Sequence, residues 1–478
     1  MSCPTHSKFV ILIFAGIVSL CRSTDLHAAD YASVLIDNVP HVRQKPDFCG
    51  EACTEMYLQK LGYEVDQDFV FDQSGLDPLL ARGCFTRELK QSLEQIGFDV
   101  GAVWYSISAS KPEPGLQAMF AKLHADLLQG TPAIVCTHFD HSPQTTEHFR
   151  LVIGYDHKTD EIIYHDPALD DGAALRMKRT ELLDLWTLKY ADDRWTVIYL
   201  PLRHEKLNVS PPASRFTAAD FAQHLMKLKK KLPSDDFHVV IQNPFVVIGD
   251  EAAELVQRRS QQTVQWAVDR IKKTYFAQDP DEIIDIWLFK DKSSYEKHCE
   301  QLFGSKPSTP YGYYSPSNRA LVMNISTGGG TLVHEIVHPF MAANFAACPS
   351  WFNEGLASLY EQSSSDRAGN IVGLTNWRLR GLQLAIQDDR VPSFETLCST
   401  TTHEFYKEDP GTNYAQARYL CYYLQQRGLL AKYYHQFVEN AASDPGGYQT
   451  LQAVLEETDM DQFKRDWEAY VLKLSFGQ

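Results

Sequence analysis

The sequence predicts an α+β fold in two or more domains, and three observations predict it. At 478 residues the chain is too long for a single hydrophobic core. Short helices and β-rich runs fill its first part, up to a polar break with a Pro-Pro pair, HEKLNVSPPASR, between Arg203 and Phe216. Beyond the break strands come first and helical patterns follow, the order of an α+β arrangement. The expected segments are a signal peptide over 1–29, a first domain over 30–203, a linker and helix over 204–236, and a second domain over 237–478. An apolar content of 44% with 22% charged residues excludes wholesale disorder. A formal net charge of −16 argues against nucleic acid as a partner, because phosphate recognition needs a basic surface.

At the amino terminus Lys8 precedes FVILIFAGIVSL, Phe9 to Leu20, a run too short to span a bilayer comfortably but suited to a signal-peptide core. Ala28 and Ala29 mark a cleavage region, with a retained anchor as the alternative. Leu20 is bulky where a lipoprotein signal before Cys21 needs a small residue. No later run is long and apolar enough to cross a membrane, so a secreted, periplasmic or cell-surface protein is expected. Eight cysteines lie beyond the leader with no C-x-x-C pair, which excludes a structural zinc knot of that kind and leaves any disulfide pairing open.

In the first domain PHVRQKPDFCGEACTEM places Cys49 at the start of a helical pattern that stops at Gly62. A thiol there has its thiolate favoured by the helix dipole. Gln44, five residues earlier, is a candidate donor to an oxyanion. The strands HFRLVIGYD and EIIYHDP, paired about the turn Asp156 to Asp160, set His148 almost opposite Asp166. Cys49, His148 and Asp166 then form a cysteine triad. His138 and His141 read as loop residues.

Thr217 and Asp220 start the helix TAADFAQHLMKLKKKL with a capping box. FHVVIQNPFVVIGD reads as two strands around Asn243-Pro244, followed by a long helix from Glu251 to Phe276 and the strands EIIDIWLF and RALVMNI. Three glycines lead into TLVHEIVHPF, where Thr331 can cap a helix and Pro339 should bend it. On that helix His334 and His338 point within about 40° of each other, about 6 Å apart along the axis. Both imidazoles can therefore reach one ion, while Glu335 lies beside the same face as a proton acceptor. A third ligand is available downstream in WFNEGLASLYE, where Glu354 heads a second helix.

H-E-x-x-H followed by W-x-N-E-G-x-A resembles the gluzincin metallopeptidases, the thermolysin-like group of peptidase clan MA. The run NEGLASLYE is similar to a segment of the aminopeptidase N type enzymes. The resemblance implies a thermolysin-like zincin domain, a small sheet and then a helical part. It implies Zn2+ held by His334, His338 and Glu354, with Glu335 as general base. It also implies Tyr414, in NYAQARYLCYYL, as the donor to the transition-state oxyanion. Two departures matter: the spacer from His338 to Glu354 is short, and ALVMNIS lacks the glutamate with which those aminopeptidases anchor a free amine. The second favours cleavage inside chains.

Q-x-x-x-x-C-G, then H-F-x-x-V-x-G-Y-D and a strand ending in D-P, resembles the bacteriocin-processing peptidase-like family. That resemblance implies a papain-like fold from about Val34 to Leu202. It casts Gln44 as oxyanion donor, Cys49 as nucleophile, His148 as base and Asp166 as orienting acid. The expectation is an exported zinc peptidase acting on peptide or protein, with a cysteine-peptidase-like first domain. Two alternatives stay open: a cysteine peptidase with an accessory zincin fold, and a non-catalytic peptide-binding protein built from degenerate peptidase folds. Oligomeric state is not legible.

Overall fold

The computed structural model describes residues 31–210 and 214–476. The expected signal peptide and the Pro-Pro pair lie outside the described residues. The described chain is α+β and falls into two compact units. The first takes residues up to Arg43, Met56–Tyr63 and Phe98–Lys206; the second takes Gln44–Glu55, Glu64–Gly97 and everything from Leu207.

The first unit is built on a seven-stranded sheet. Its nine strands are β1 (Val34–Leu35), β2 (Phe98–Asp99), β3 (Trp104–Ser108), β4 (Ala133–His138), β5 (Glu147–Asp156), β6 (Glu161–His165), β7 (Leu175–Lys178), β8 (Arg194–Pro201) and β9 (Arg203–His204). The sheet order is β3-β8-β4-β5-β6-β7, with β1 on β5 and a separate β2–β9 ribbon. β4 and β5 are buried almost without alternation, as strands covered on both faces are. The helix Pro112–Leu128 turns Met119, Phe120, Leu123 and Leu127 into this core, where Trp186 donates to the Ile198 carbonyl at 2.7 Å.

In the second unit a five-stranded sheet runs β10 (His238–Gln242), β11 (Phe245–Gly249), β12 (Ile284–Phe289), β14 (Ala320–Asn324) and β13 (Gly312–Ser315). The inner three strands are parallel, and β10 and β13 are antiparallel edges. Period-two patterning divides the faces. Val247, Ile286, Leu288 and Leu321 pack with the motif helix, Gly330–Asn344. Val246, Ile248, Trp287 and Val322 pack with Phe221, Leu225 and Leu228 of the helix Ala218–Lys229, whose Thr217–Asp220 capping box is present. Helices dominate from Ser350 onward, with one short hairpin, β15 (Ser363–Ser365) and β16 (Ile371–Gly373).

Two local expectations are corrected. The motif helix starts at Gly330 with Gly329 as its cap, so Thr331 lies inside it. Pro339 also lies inside, and the helix continues to Asn344. The helix expected over Glu251 to Phe276 is two helices, Ala253–Arg259 and Trp266–Thr274, joined by a π-helical segment, Ser260–Gln265.

Candidate functional site

The glycine run before the motif helix has a packing reason. A Cβ on Gly330 would sit 2.1 Å from the Glu361 carbonyl oxygen, so only glycine lets the helix start this close to the chain beyond Leu359. The next helix, Ser350–Leu359, carries Glu354, and Trp351 anchors its first turn by donating to the Gly446 carbonyl at 3.0 Å. One residue after Glu354, Gly355 meets Ala417 of the helix Pro410–Gln426, where an added Cβ would lie 3.0 Å from the Ala417 carbonyl. Small residues thus bring together the helices that bear His334, Glu354 and Tyr414.

His334, His338 and Glu354 converge, each offering a ligand atom within 4.8 Å of the others. His334 Nε2 is 3.2 Å from Glu354 Oε2, and His338 Nε2 is 4.0 Å from Glu354 Oε1. A tetrahedral ion with bonds of about 2.0–2.2 Å separates its donors by about 3.3–3.6 Å, so the spacing suits a small divalent cation. Glu354 Oε2 is buried with no hydrogen-bond partner, which a bound cation would remedy. The outer partners are in place too. His338 Nδ1 can donate to Asn353 Oδ1 at 3.0 Å, and His334 Nδ1 faces Glu361 Oε1 at 3.4 Å. Protons on these nitrogens leave both Nε2 lone pairs for a metal. Glu361 is itself held by Arg378 at 2.7 Å and by Asn376 at 3.0 Å.

The electrostatics ask for positive charge. Burial opposes ionisation of Glu354 and Glu361, yet His334, joined by His338 at Glu354 and by Arg378 at Glu361, brings both down to about 2. Burial likewise opposes a charge on His334, and the carboxylates Glu354, Glu361 and Glu335 overcome it and raise its pKa well above the ordinary value. A divalent cation between the imidazoles would meet the same demand.

His334 and Glu335 open onto a cleft of about 990 Å³, and Tyr414 lines it with them. Its other walls include Gln262 and Thr263 of the π-helical segment, Tyr311 and Gly312 where β13 begins, and Trp377 and Arg378. Glu361, Asn353 and Tyr406 were missed by sequence reasoning. The first two stand within the quoted run WFNEGLASLYE, where their spacing from Glu354 was the available signal. Tyr406, whose hydroxyl donates to Glu354 Oε1 at 2.6 Å, carries no local signal at all.

In the first unit His148 and Asp166 meet as a buried pair, Nε2 to Oδ1 at 2.7 Å. The reach is diagonal: Leu151 pairs with His165, and one step further that register sets Arg150, not His148, beside Asp166. A bulge between Val152 and Gly154 shifts the strands. Arg150 Nε donates to Asp166 Oδ2 at 3.0 Å and its guanidinium also reaches the His138 and Phe139 carbonyls. Burial would raise the Asp166 pKa, but His148 and then Arg150 outweigh it and hold the group ionised. With Nε2 on the carboxylate, His148 keeps Nδ1 for proton transfer. His138 ends β4 and is not a loop residue.

Cys49 and Gln44 fall within the second unit. Cys49 is a partly buried thiol opening the helix Cys49–Lys60, and Cys53 is a buried thiol one turn on. Gln44 Oε1 is buried without a hydrogen-bond partner.

Residues 36–192, about a third of the chain, match the model of the Peptidase_C39 like family, a papain-like cysteine peptidase family. The match takes in Gln44, Cys49, His148 and Asp166. No curated protein matches the chain. A segment that matches a peptidase-family model and a His-His-Glu group that could hold a metal ion therefore occur in one chain.

Proposed function

We propose that the protein is an exported zinc-dependent peptidase of gluzincin type, with a papain-like, cysteine-peptidase-like first domain. In this reading the domains run 30–203 and 237–478, joined by the linker and helix over 204–236. The observation that carries it is the convergence of Glu354 on two imidazoles from a different helix, with one buried carboxylate oxygen left unpartnered. His334, His338 and Glu354 hold the zinc, and Glu361 and Asn353 orient the two imidazoles. When bound, the ion supplies Lewis-acid polarisation of the scissile carbonyl and activation of the attacking water.

The chain's own groups do the rest. Glu335 takes the proton of the attacking water and delivers it to the leaving amine. Tyr414, on the same cleft, donates to the developing oxyanion. β13 is the edge of its sheet and its start lines the cleft, so its backbone offers an extended peptide a strand to pair with. Asn324 ends β14 where an aminopeptidase would carry an acid, and its amide donates to the Pro310 carbonyl at 3.0 Å. Without a carboxylate to hold a free amine, cleavage inside chains is favoured.

A second reading, a cysteine peptidase acting through Cys49, His148 and Asp166 with Gln44 as oxyanion donor, is favoured by the family match and by the buried His148–Asp166 pair. A peptide-library digest of wild type, Glu335→Gln and Cys49→Ala, run with and without chelator, separates the two. The zinc reading expects Glu335→Gln to lose about 10²–10⁴-fold in rate and Cys49→Ala to keep it. The reverse pattern, with chelator having no effect, would establish the cysteine reading instead.

A further inference from the structure

The Glu354 carboxylate is asymmetric. Its Oε1, 4.0 Å from His338 Nε2, accepts a hydrogen bond of 2.6 Å from the Tyr406 hydroxyl, whereas Oε2, facing His334 Nε2 at the shorter distance of 3.2 Å, is buried with no hydrogen-bond partner. Tyr406 is itself held in place. It belongs to the short helix Thr402–Lys407, and the Asn413 side-chain amide donates to the Phe405 and Glu408 carbonyls on either side of it at 3.2 and 2.6 Å. Its ring also packs against those of Phe405 and Tyr414, with centroids 5.4 and 6.0 Å away.

A carboxylate can ligate a metal through one oxygen or through both. A fixed phenol donor on one oxygen draws that oxygen's charge toward itself and away from a metal, since hydrogen bonds to an ionised acceptor are short and strong. We infer that Tyr406 is a positioning residue that makes Glu354 a one-oxygen ligand, through Oε2, and so keeps a coordination position open for substrate. The inference rests on the zinc reading above. It concerns a residue that touches neither substrate nor metal.

The test compares wild type with Tyr406→Phe, which removes one oxygen from a half-buried ring and leaves the packing surface. Zinc affinity is measured by competition with a chromophoric chelator, and the visible spectrum is recorded after loading the metal-free proteins with Co2+. The expected result in Tyr406→Phe is a loss of zinc affinity of about 10–100-fold, because the carboxylate is no longer held with Oε2 toward the metal and that loss of positioning outweighs the stronger donor left behind. The cobalt bands should also lose intensity as Glu354 engages through both oxygens and coordination number rises. Asn413→Ala, which releases the segment carrying Tyr406 but keeps the hydroxyl, should weaken zinc in the same direction by less, and it serves if the first variant does not fold. Tight zinc binding in wild type with unchanged affinity and cobalt spectrum in both variants would overturn the role of Tyr406 and leave the zinc site standing. A wild-type protein that takes up neither metal would overturn both.

Discussion

Glu51 sits two residues beyond Cys49, fully buried, with Oε1 accepting the Cys84 amide at 2.8 Å and Oε2 unpartnered. Burial pushes its pKa up to about 7 against the pull of the Cys84 amide. The unfolded chain releases this proton near 4.5, so between about 4.5 and 7 the folded state holds more protons and stability falls as pH rises. Below that window the penalty is absent, and above it the penalty is complete. Glu51→Gln should therefore stabilise the protein at pH 8 by an amount on the order of 3 kcal/mol and have little effect at pH 4.5. Denaturant unfolding at the two pH values checks this, and an equal effect at both would refute it. Legibility differed sharply from one residue to the next. His334, His338 and Glu354 could be read because helical spacing fixes where i and i+4 point and because a second motif followed. Tyr406 could not, since its bond to Glu354 depends on how three helices cross, which no local pattern encodes.

Among the elements, the motif helix and its successor are where sequence and packing meet most closely. Gly330 admits no side chain, and the Cβ of Gly330→Ala would press on the Glu361 backbone at the point where Glu361 approaches His334. That substitution should cost about 1–3 kcal/mol in equilibrium unfolding and should weaken metal binding by displacing the outer partner of His334. A variant as stable as wild type with unaltered metal affinity would contradict the packing account. The strands around Asn243-Pro244, EIIDIWLF and RALVMNI were all legible from alternation and length. The helix Lys292–Phe303 and the edge strand β13 were not, because GYYS is four residues long and its strand character comes from pairing with β14. The π-helical segment was equally silent. SQQTVQ continues a helical pattern, and its wider turn shows only in the hydrogen bonding.

For the molecule as a whole, the account stands on the group His334, His338 and Glu354 in the second unit. Its α+β character followed from the order of strand and helix patterns. The assignment of Gln44–Glu55 and Glu64–Gly97 to the second unit did not, because contact between distant segments leaves no periodic trace. If His334, His338 and Glu354 hold an ion, binding favours the folded state, and chelation should lower the thermal midpoint of the whole protein. The decisive measurement is elemental analysis of the purified full-length chain beside its His338→Ala and Glu354→Ala variants. The account predicts stoichiometric zinc in wild type and a large loss in each variant. Wild-type protein without stoichiometric zinc, or variants that retain it in full, would contradict the metal centre.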